Sequence, residues 1–264
     1  MKKSDQSRTE LAKSDQVNHL MDAPTYRLAA LDEDFLMSAS MRGVRFMLEF
    51  YKTEEVLRAR GINSTLVVFG SARMKADTPG AHSRWYNEAR LFGRIASERG
   101  GALGEGKLEN VIATGGGPGL MEAANRGARD AGAPTIGFNI ELPHEQAPNP
   151  YISPDLVFRF HYFAMRKMHL VMRANALIAF PGGFGTLDEL FEIMTLKQTG
   201  KGRAIPIVLF DEAYWRSIIN FDVMVEQGVI EARDLDLIQF ADRAEDVWSK
   251  IVEGGIFAPT EPRP

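Results

Sequence analysis

Short β-branched apolar runs alternate with segments of helical periodicity along most of the chain, and this alternation limits the fold more than any other feature. Short apolar runs bounded by glycine or proline are typical of buried strands, and longer amphipathic segments are typical of helices. The sequence predicts strands at 65–69, 110–114, 134–138, 155–160, 176–180 and 205–210. It predicts helices at 82–98, 119–130, 162–174, 186–198, 212–227 and 242–252. Because alternating strands and helices form βαβ units, we expect a doubly wound α/β fold with a mainly parallel sheet and helices on both faces.

Three of the predicted strands end in glycine-rich turns, at 70–73 (GSAR), 115–119 (GGGPG) and 181–186 (PGGFGT). Ligands of open parallel sheets bind beyond the carboxyl ends of the strands, and a helix N-terminus at that edge suits a phosphate. Tight turns favour glycine in any case, but three such turns at one edge favour a phosphate-bearing ligand. Neither a dinucleotide fingerprint nor a P-loop is present. Leu120 and Asp188 occupy the third glycine position, and the run 101–108 (GALGEGKL) lacks the Ser or Thr that binds magnesium.

The composition excludes several classes of protein. The 264 residues include no cysteine, which rules out disulfides, zinc fingers and thiol catalysis and fits a reducing cytoplasm. A formal net charge of -4 argues against general nucleic-acid binding. No stretch approaches the roughly 20 apolar residues of a membrane helix, and no signal peptide is apparent, so we expect a cytoplasmic protein without membrane contact. The 5 histidines lack metal-binding spacing, and we expect neither a metal nor a cofactor.

Four sequence elements resemble the LOG (Lonely Guy) family. The run 181–189 (PGGFGTLDE) matches the family motif PGGxGTxxE, and Arg166-Lys167 resembles the RK pair that precedes it. The run 115–123 (GGGPGLMEA) is similar to the family's GGGxxGLM element, and 70–72 (GSA) to its first loop. The resemblance covers roughly residues 62–230 and implies a Rossmann-like phosphoribohydrolase. Such enzymes cleave the N-glycosidic bond of AMP or of cytokinin riboside 5′-monophosphates, releasing the base and ribose 5-phosphate. Older usage calls the family lysine decarboxylase, but nothing in this sequence supports pyridoxal chemistry.

The resemblance implies that Arg166 and Glu189 are the catalytic residues. A carboxylate beside C1′ stabilises an oxocarbenium-like transition state or orients water. The other interpretation of Glu189 is structural, because Thr186 to Glu189 also has the spacing of a helix capping box. Arg166 shares a helix face with His169 and Arg173, so a solvated cationic stripe is its structural alternative.

We expect the substrate to contact the glycine-rich turns and nearby side chains: Gly70, Ser71, Gly116, Gly117, Glu122, Lys167, Gly182, Gly183, Gly185 and Thr186. Two of these assignments have equal structural alternatives. Glu122 lies in the first turn of its helix and could simply interact with the helix dipole. Lys167 lies on a helix face next to that of Arg166, and its contact with substrate is open.

Two departures from the family pattern bear on the substrate. Plant-type members have Met where this chain has Phe163, and shorter members often have Gly where it has Glu122. Both favour AMP over a prenylated substrate. The alternative function is a non-catalytic carrier of a nucleotide or of the molybdenum cofactor on the same scaffold. A carrier has no use for a carboxylate at C1′, so the presence of both Arg166 and Glu189 favours the enzyme.

The resemblance and the periodicity together suggest four segments. Residues 1–28 form a mobile tail, 29–61 an N-terminal helix, 62–255 the Rossmann-like nucleotide-binding catalytic domain, and 256–264 a C-terminal tail. The predicted N-terminal helix, from Leu31 to about Arg60, carries apolar residues on more than one face. We therefore expect a homodimer or a larger even assembly, with no nucleic-acid partner.

Overall fold

The computed structural model describes residues 14–77, 80–143 and 147–257, so 1–13 and 258–264 of the predicted tails lie outside the described residues. These residues form two compact units that divide between Glu49 and Phe50. In the described ranges, no helix is both long enough and apolar enough to cross a membrane.

The first unit consists of short helical elements and the beginning of a longer helix. Residues 14–21 are helical (α1), within the segment that the sequence predicts as a mobile tail. Single 3₁₀ turns and two further helices follow: Pro24–Tyr26, Ala29–Leu31, α2 (Glu33–Met37), Ala39–Met41 and α3 (Arg42–Ala59).

The predicted helix from Leu31 to about Arg60 is wrong in its N-terminal part, because two residues interrupt it. The backbone of Asp32 is extended, and its side chain accepts a hydrogen bond of 3.1 Å from the Phe35 amide, which starts a new helix there. Ser38 is also extended, with φ -62° and ψ 158°, and ends that helix. Both residues favour local side-chain or turn contacts over helix continuation.

The described residues of the second unit form a sheet of seven strands, all parallel, in the order β4-β3-β2-β1-β5-β6-β7. The strands are β1 (Thr65–Phe69), β2 (Val111–Thr114), β3 (Thr135–Ile140), β4 (Val157–Phe160), β5 (Ala174–Ala179), β6 (Ile207–Phe210) and β7 (Gln239–Ala241). The chain adds β2 to β4 on one side of β1 and then returns to place β5 on the other side. The direction of winding therefore reverses between β1 and β5, which is where open α/β sheets bind their ligands.

The helices of this unit cover both faces of the sheet, as predicted. They are α4 (Ala81–Arg99), α5 (Leu120–Asp130), α6 (Phe163–Met172), α7 (Phe184–Gln198), α8 (Glu212–Ile218), α9 (Phe221–Glu226) and α10 (Ala244–Glu253). Leu66 and Val68 of β1 belong to the core beneath α4, α5 and α10, while Val67 and Phe69 belong to the core beneath α6 to α9. Alternate side chains of one strand thus fill opposite cores, as a sheet covered on both faces requires.

Two predictions about this unit need correction. The single helix expected over 212–227 is interrupted, because Asn220 leaves the helical conformation and its side chain accepts a hydrogen bond of 3.1 Å from the Val223 amide. That contact starts α9 as a separate helix. Strand β7 was not predicted, since Gln239 and Phe240 are only partly buried and three residues carry too little periodicity to indicate a strand.

Candidate active site

The three glycine-rich turns line one cavity of about 700 Å³ at the carboxyl edge of the sheet. The predicted site residues that line it are Gly70, Ser71, Gly117, Arg166, Gly182, Gly183, Gly185 and Thr186. Gly116, Glu122, Lys167 and Glu189 do not line it. The parallel sheet explains this convergence, because every one of its strands ends at the same edge.

Ser71 connects all three turns through its backbone. Its amide donates to the Pro181 carbonyl at 2.9 Å, and its carbonyl accepts from the Leu120 amide at 3.0 Å. Gly119 passes so close that a Cβ atom there would lie 2.3 Å from the Ser71 carbonyl oxygen. The glycines of these turns therefore permit close backbone packing as well as access for a ligand.

The turn at 181–186 leads directly into α7, whose N-cap is Gly183. A Cβ atom at Gly182 would lie 2.1 Å from Thr186 Oγ1, whereas Cβ atoms at Gly183 and Gly185 would meet no atom of the described part of the chain within 4 Å. Gly182 is therefore required for packing, while the other two leave the helix N-terminus open toward the cavity. Such a terminus presents amide groups and the positive end of the helix dipole, an arrangement that suits an anion.

The capping-box interpretation of Glu189 is wrong. Because Gly183 is the N-cap and no side chain caps the helix, Thr186 is the third residue of α7 and Glu189 lies in its second turn. A capping box needs its acidic residue three positions after the N-cap, which is the position of Thr186.

Glu189 instead forms a buried ion pair with Arg166 of α6, whose Nη2 donates to Glu189 Oε1. The Glu189 side chain is 1% exposed and that of Arg166 is 10% exposed. Burial raises the pKa of Glu189, although the charges of Arg166 and Lys167 oppose this change. Arg166 reaches the cavity wall and Glu189 lies behind it, so the solvated-stripe interpretation of Arg166 is also wrong.

Lys167 points away from the cavity, into a neighbouring groove beside α7. Its Nζ lies 2.8 Å from Asp188 Oδ1 and 3.2 Å from Glu192 Oε2. Burial lowers the pKa of Lys167, but the two carboxylates outweigh it and the net change is upward. The ammonium group of Lys167 is thus paired with two carboxylates of α7, and the geometry does not support its predicted contact with substrate.

Glu122 is likewise directed elsewhere, because its carboxylate accepts a hydrogen bond of 2.9 Å from the Tyr86 hydroxyl. Gly116 has φ +72°, and a Cβ atom there would lie 2.1 Å from Asn139 Oδ1. Its requirement for glycine is therefore conformational and steric. The geometry supports a ligand contact for neither residue.

The buried side-chain amide of Asn149 fixes the second glycine-rich turn, at 115–119. Asn149 Nδ2 donates to the carbonyls of Gly116 and Gly117, at 3.3 and 3.0 Å, and to Asn125 Oδ1 at 2.9 Å. Asn125 in turn accepts from Thr114 at 2.8 Å. These contacts fix the turn to β2 and α5 through polar groups that are fully inside the protein.

The side chains of the cavity wall that sequence reasoning missed include Trp85, Met121, Asn139 and Tyr214. Asn139 Oδ1 is buried without a hydrogen-bond partner in the described part of the chain. Asn139 lies near the end of β3 and Tyr214 shortly after β6. The sequence signal that could have identified Asn139 and Tyr214 as site residues is their position at the carboxyl ends of predicted strands. Within the described ranges, no group of three or more His, Asp or Glu side chains is placed to hold a metal ion.

The fold and the site define the class: a doubly wound, parallel α/β protein of Rossmann type with a glycine-lined cavity at the point where the winding reverses. Residues 121–251 match a family described as "possible lysine decarboxylase". The structural genomics target TM1055, solved by X-ray crystallography, shares this fold with a TM-score of 0.53 and 22% identity, over 72% of this chain and 99% of that one.

Two relatives with named activities are similar over most of their length. A probable cytokinin riboside 5′-monophosphate phosphoribohydrolase, LOG4 of Oryza sativa subsp. japonica, is 31% identical over 165 residues, which is 61% of this chain and 70% of that protein. The cytokinin riboside 5′-monophosphate phosphoribohydrolase of Rhodococcoides fascians is 29% identical over 175 residues, 65% of this chain and 82% of that protein. The chain belongs to the LOG family.

Proposed function

We propose that this protein hydrolyses the N-glycosidic bond of AMP or of cytokinin riboside 5′-monophosphates, giving the free base and ribose 5-phosphate. The names of its relatives support the reaction class. The observation that carries the proposal is the buried pair of Arg166 and Glu189, next to the open N-terminus of α7. In this arrangement the N-terminus of α7 binds the phosphate, and Glu189 supplies a carboxylate for cleavage of the bond between ribose and base.

The phosphate group occupies the N-terminus of α7 in this proposal. Gly183 and Gly185 leave the backbone open there, and the buried Thr186 follows in the same turn. Amide groups at a helix start bind phosphate oxygens without a dedicated cation. The ribose then extends from this turn toward Arg166, which forms part of the same cavity wall.

Glu189 acts on the anomeric carbon, where departure of the base leaves positive charge on C1′ and the ring oxygen. Its carboxylate stabilises that charge or removes a proton from the attacking water. Because Glu189 lies behind Arg166, the guanidinium must move off the carboxylate before the two can meet. Substrate phosphate or ribose hydroxyls give Arg166 an alternative hydrogen-bond partner, which couples substrate binding to exposure of Glu189.

The test compares AMP, isopentenyladenosine 5′-monophosphate and adenosine as substrates for the purified protein, with chromatographic detection of the base and of ribose 5-phosphate. Each lost charge-assisted hydrogen bond costs about 1.5–3 kcal/mol, so loss of two should lower kcat/KM for adenosine by roughly two to four powers of ten. The ratio of the kcat/KM values for AMP and isopentenyladenosine 5′-monophosphate measures the preference for one base over the other.

Two results would contradict the proposal. Equal kcat/KM values for AMP and adenosine would mean that the phosphate is not recognised at α7. Tight binding of a nucleotide with no release of base over many hours would point to a carrier. A parallel reaction in EDTA is expected to proceed at the same rate, because the proposed chemistry uses only side chains and backbone amides.

A further inference from the structure

One side chain from a different part of the sheet holds the turn that leads into α7. The Tyr214 hydroxyl donates a hydrogen bond of 2.8 Å to the carbonyl oxygen of Gly182. Tyr214 belongs to α8, which follows β6, and its ring also lines the cavity. Burial raises the pKa of Tyr214, so the hydroxyl stays a proton donor at neutral pH.

Tyr214 is itself held by the residue that caps α8. Asp211 Oδ1 accepts from the Tyr214 amide at 3.0 Å, and Asp211 Oδ2 accepts from Trp85 Nε1 at 2.7 Å. The guanidinium of Arg84 lies 3.5 Å from the same carboxylate, and the rings of Trp85 and Tyr214 meet edge to face at 5.5 Å. Asp211 has φ +71°, a conformation that non-glycine residues rarely adopt. These contacts compensate for that strain and fix the position of the Tyr214 ring.

The orientation of the Gly182 carbonyl matters because a peptide unit is planar. When its oxygen points toward Tyr214, the N–H of Gly183 in the same peptide unit must point to the opposite side. Among the described residues, no atom lies within 4 Å of a Cβ position at Gly183 or Gly185, so packing there does little to fix the turn. Glycine-rich backbone is otherwise free to adopt many conformations, at a cost in entropy when a ligand orders it.

We propose that Tyr214 is a positioning residue, which holds the Gly182–Gly183 peptide in the orientation that binds the substrate phosphate. The role of the turn in phosphate binding rests on the proposed function. Asp211 and Trp85 act one step further away, because they place the Tyr214 ring. Tyr214 itself takes no part in breaking the glycosidic bond, so its loss should affect affinity more than the chemical step.

The test uses Tyr214→Phe, which removes only the hydroxyl and keeps the ring, with Tyr51→Phe at an exposed position as the matched control. Amide hydrogen exchange of a peptide covering 181–187 is measured without ligand, and exchange should become several-fold faster in Tyr214→Phe alone. The Kd of ribose 5-phosphate and the KM of AMP should rise about 3- to 10-fold, corresponding to one hydrogen bond, while kcat changes less than about twofold. Trp85→Phe, which removes the donor to Asp211, should show a smaller change of the same kind.

The outcomes separate this inference from the proposed function. Faster exchange together with weaker ribose 5-phosphate binding supports the role of Tyr214 even if the wild type fails to cleave AMP. If the wild type binds no ribose 5-phosphate, the inference is judged only by whether amide exchange over 181–187 is faster in Tyr214→Phe than in the wild type. Unchanged exchange in Tyr214→Phe would overturn the inference, and so would an equal loss of affinity for adenosine, which has no phosphate for the turn to bind.

Discussion

Substitution of Glu189 by Gln separates the chemical role that we propose for this residue from its structural role in the ion pair with Arg166. The side chain is 1% exposed, and the amide of Gln has the same size, so the substitution should leave packing unchanged. The Gln oxygen can still accept a hydrogen bond from Arg166. What the variant loses is the negative charge next to the cavity.

The structure sets the expected magnitudes. Removal of one partner from a buried ion pair costs about 3–5 kcal/mol, and a variant that keeps one hydrogen bond should lose less, about 1–3 kcal/mol. In a chain of this length each kcal/mol shifts Tm by about 2–4 °C, so Tm should fall by roughly 2–12 °C. Loss of the proposed catalytic carboxylate should lower kcat by about a hundredfold or more, because the amide of Gln carries no charge to stabilise C1′.

The assay measures kcat with AMP, the Kd of AMP and Tm for the wild type, Glu189→Gln and Glu192→Gln. Glu192 lies on the same helix and pairs with Lys167 at 3.2 Å, outside the cavity, so its substitution controls for loss of a carboxylate from α7. We expect Glu189→Gln to bind AMP without turning it over and Glu192→Gln to keep its turnover. A Glu189→Gln protein with near-normal kcat and a lowered Tm would show that Glu189 only neutralises Arg166, and the catalytic reasoning would fail.

Three further predictions follow from the same geometry. Burial raises the pKa of Glu189, and the proposed chemistry uses its ionised form, so kcat/KM should fall with acidity at a pH above the ordinary carboxyl value of 4.5. A pH–rate profile that stays flat down to pH 5 would contradict this. Gly182→Ala should lower Tm and raise the KM for AMP at least about tenfold, since its Cβ would lie 2.1 Å from Thr186 Oγ1. Gly185→Ala, with open space around it, should keep the Tm of the wild type, and equal melting curves for the two variants would disprove the packing argument. Burial lowers the pKa of His169 to about 4, below the 6.5 of the unfolded chain, so its contribution to stability is complete above pH 6.5 and is lost as the pH falls toward 4. Urea unfolding should therefore show the wild type losing about 2 kcal/mol more than His169→Phe between pH 7.5 and pH 5, and parallel losses would refute the assignment.

The strands and helices of the second unit were largely predictable, because each has its own local pattern. The run Thr65–Phe69 is continuously apolar, and it forms the central strand between β2 and β5. The errors fall where one residue redirects the backbone. Asp32 and Asn220 each use a side-chain oxygen to start a new helix inside a segment whose hydrophobic pattern continues across it. Periodicity averages over a window, so it does not register a single capping residue.

The backbone of the site was predictable, but the directions of several side chains were not. Lys167 follows Arg166 directly, and one residue along a helix turns the side chain by about 100°, from the cavity toward α7. Whether that neighbouring face contacts substrate or protein depends on Asp188 and Glu192, which lie on another helix. Similarly, the partner of Glu122 is Tyr86, 36 positions earlier in the chain. Sequence spacing defines faces of one helix, while the partner of each face is set by tertiary packing.

The hydrogen bond from Tyr214 to Gly182 shows how the prediction of the site residues could have been extended. The two residues are 32 positions apart, and the contact of Trp85 with Asp211 joins residues 126 apart, so no local motif contains them. Yet Asp211 directly follows β6, and a parallel sheet places the residues after each strand at the same edge as the glycine-rich turns. An aspartate at that position, followed three residues later by a tyrosine, has the spacing of a helix cap with an aromatic side chain in its first turn. Treating every strand end as a contributor to the site, glycine-rich or not, would have brought both residues into the prediction.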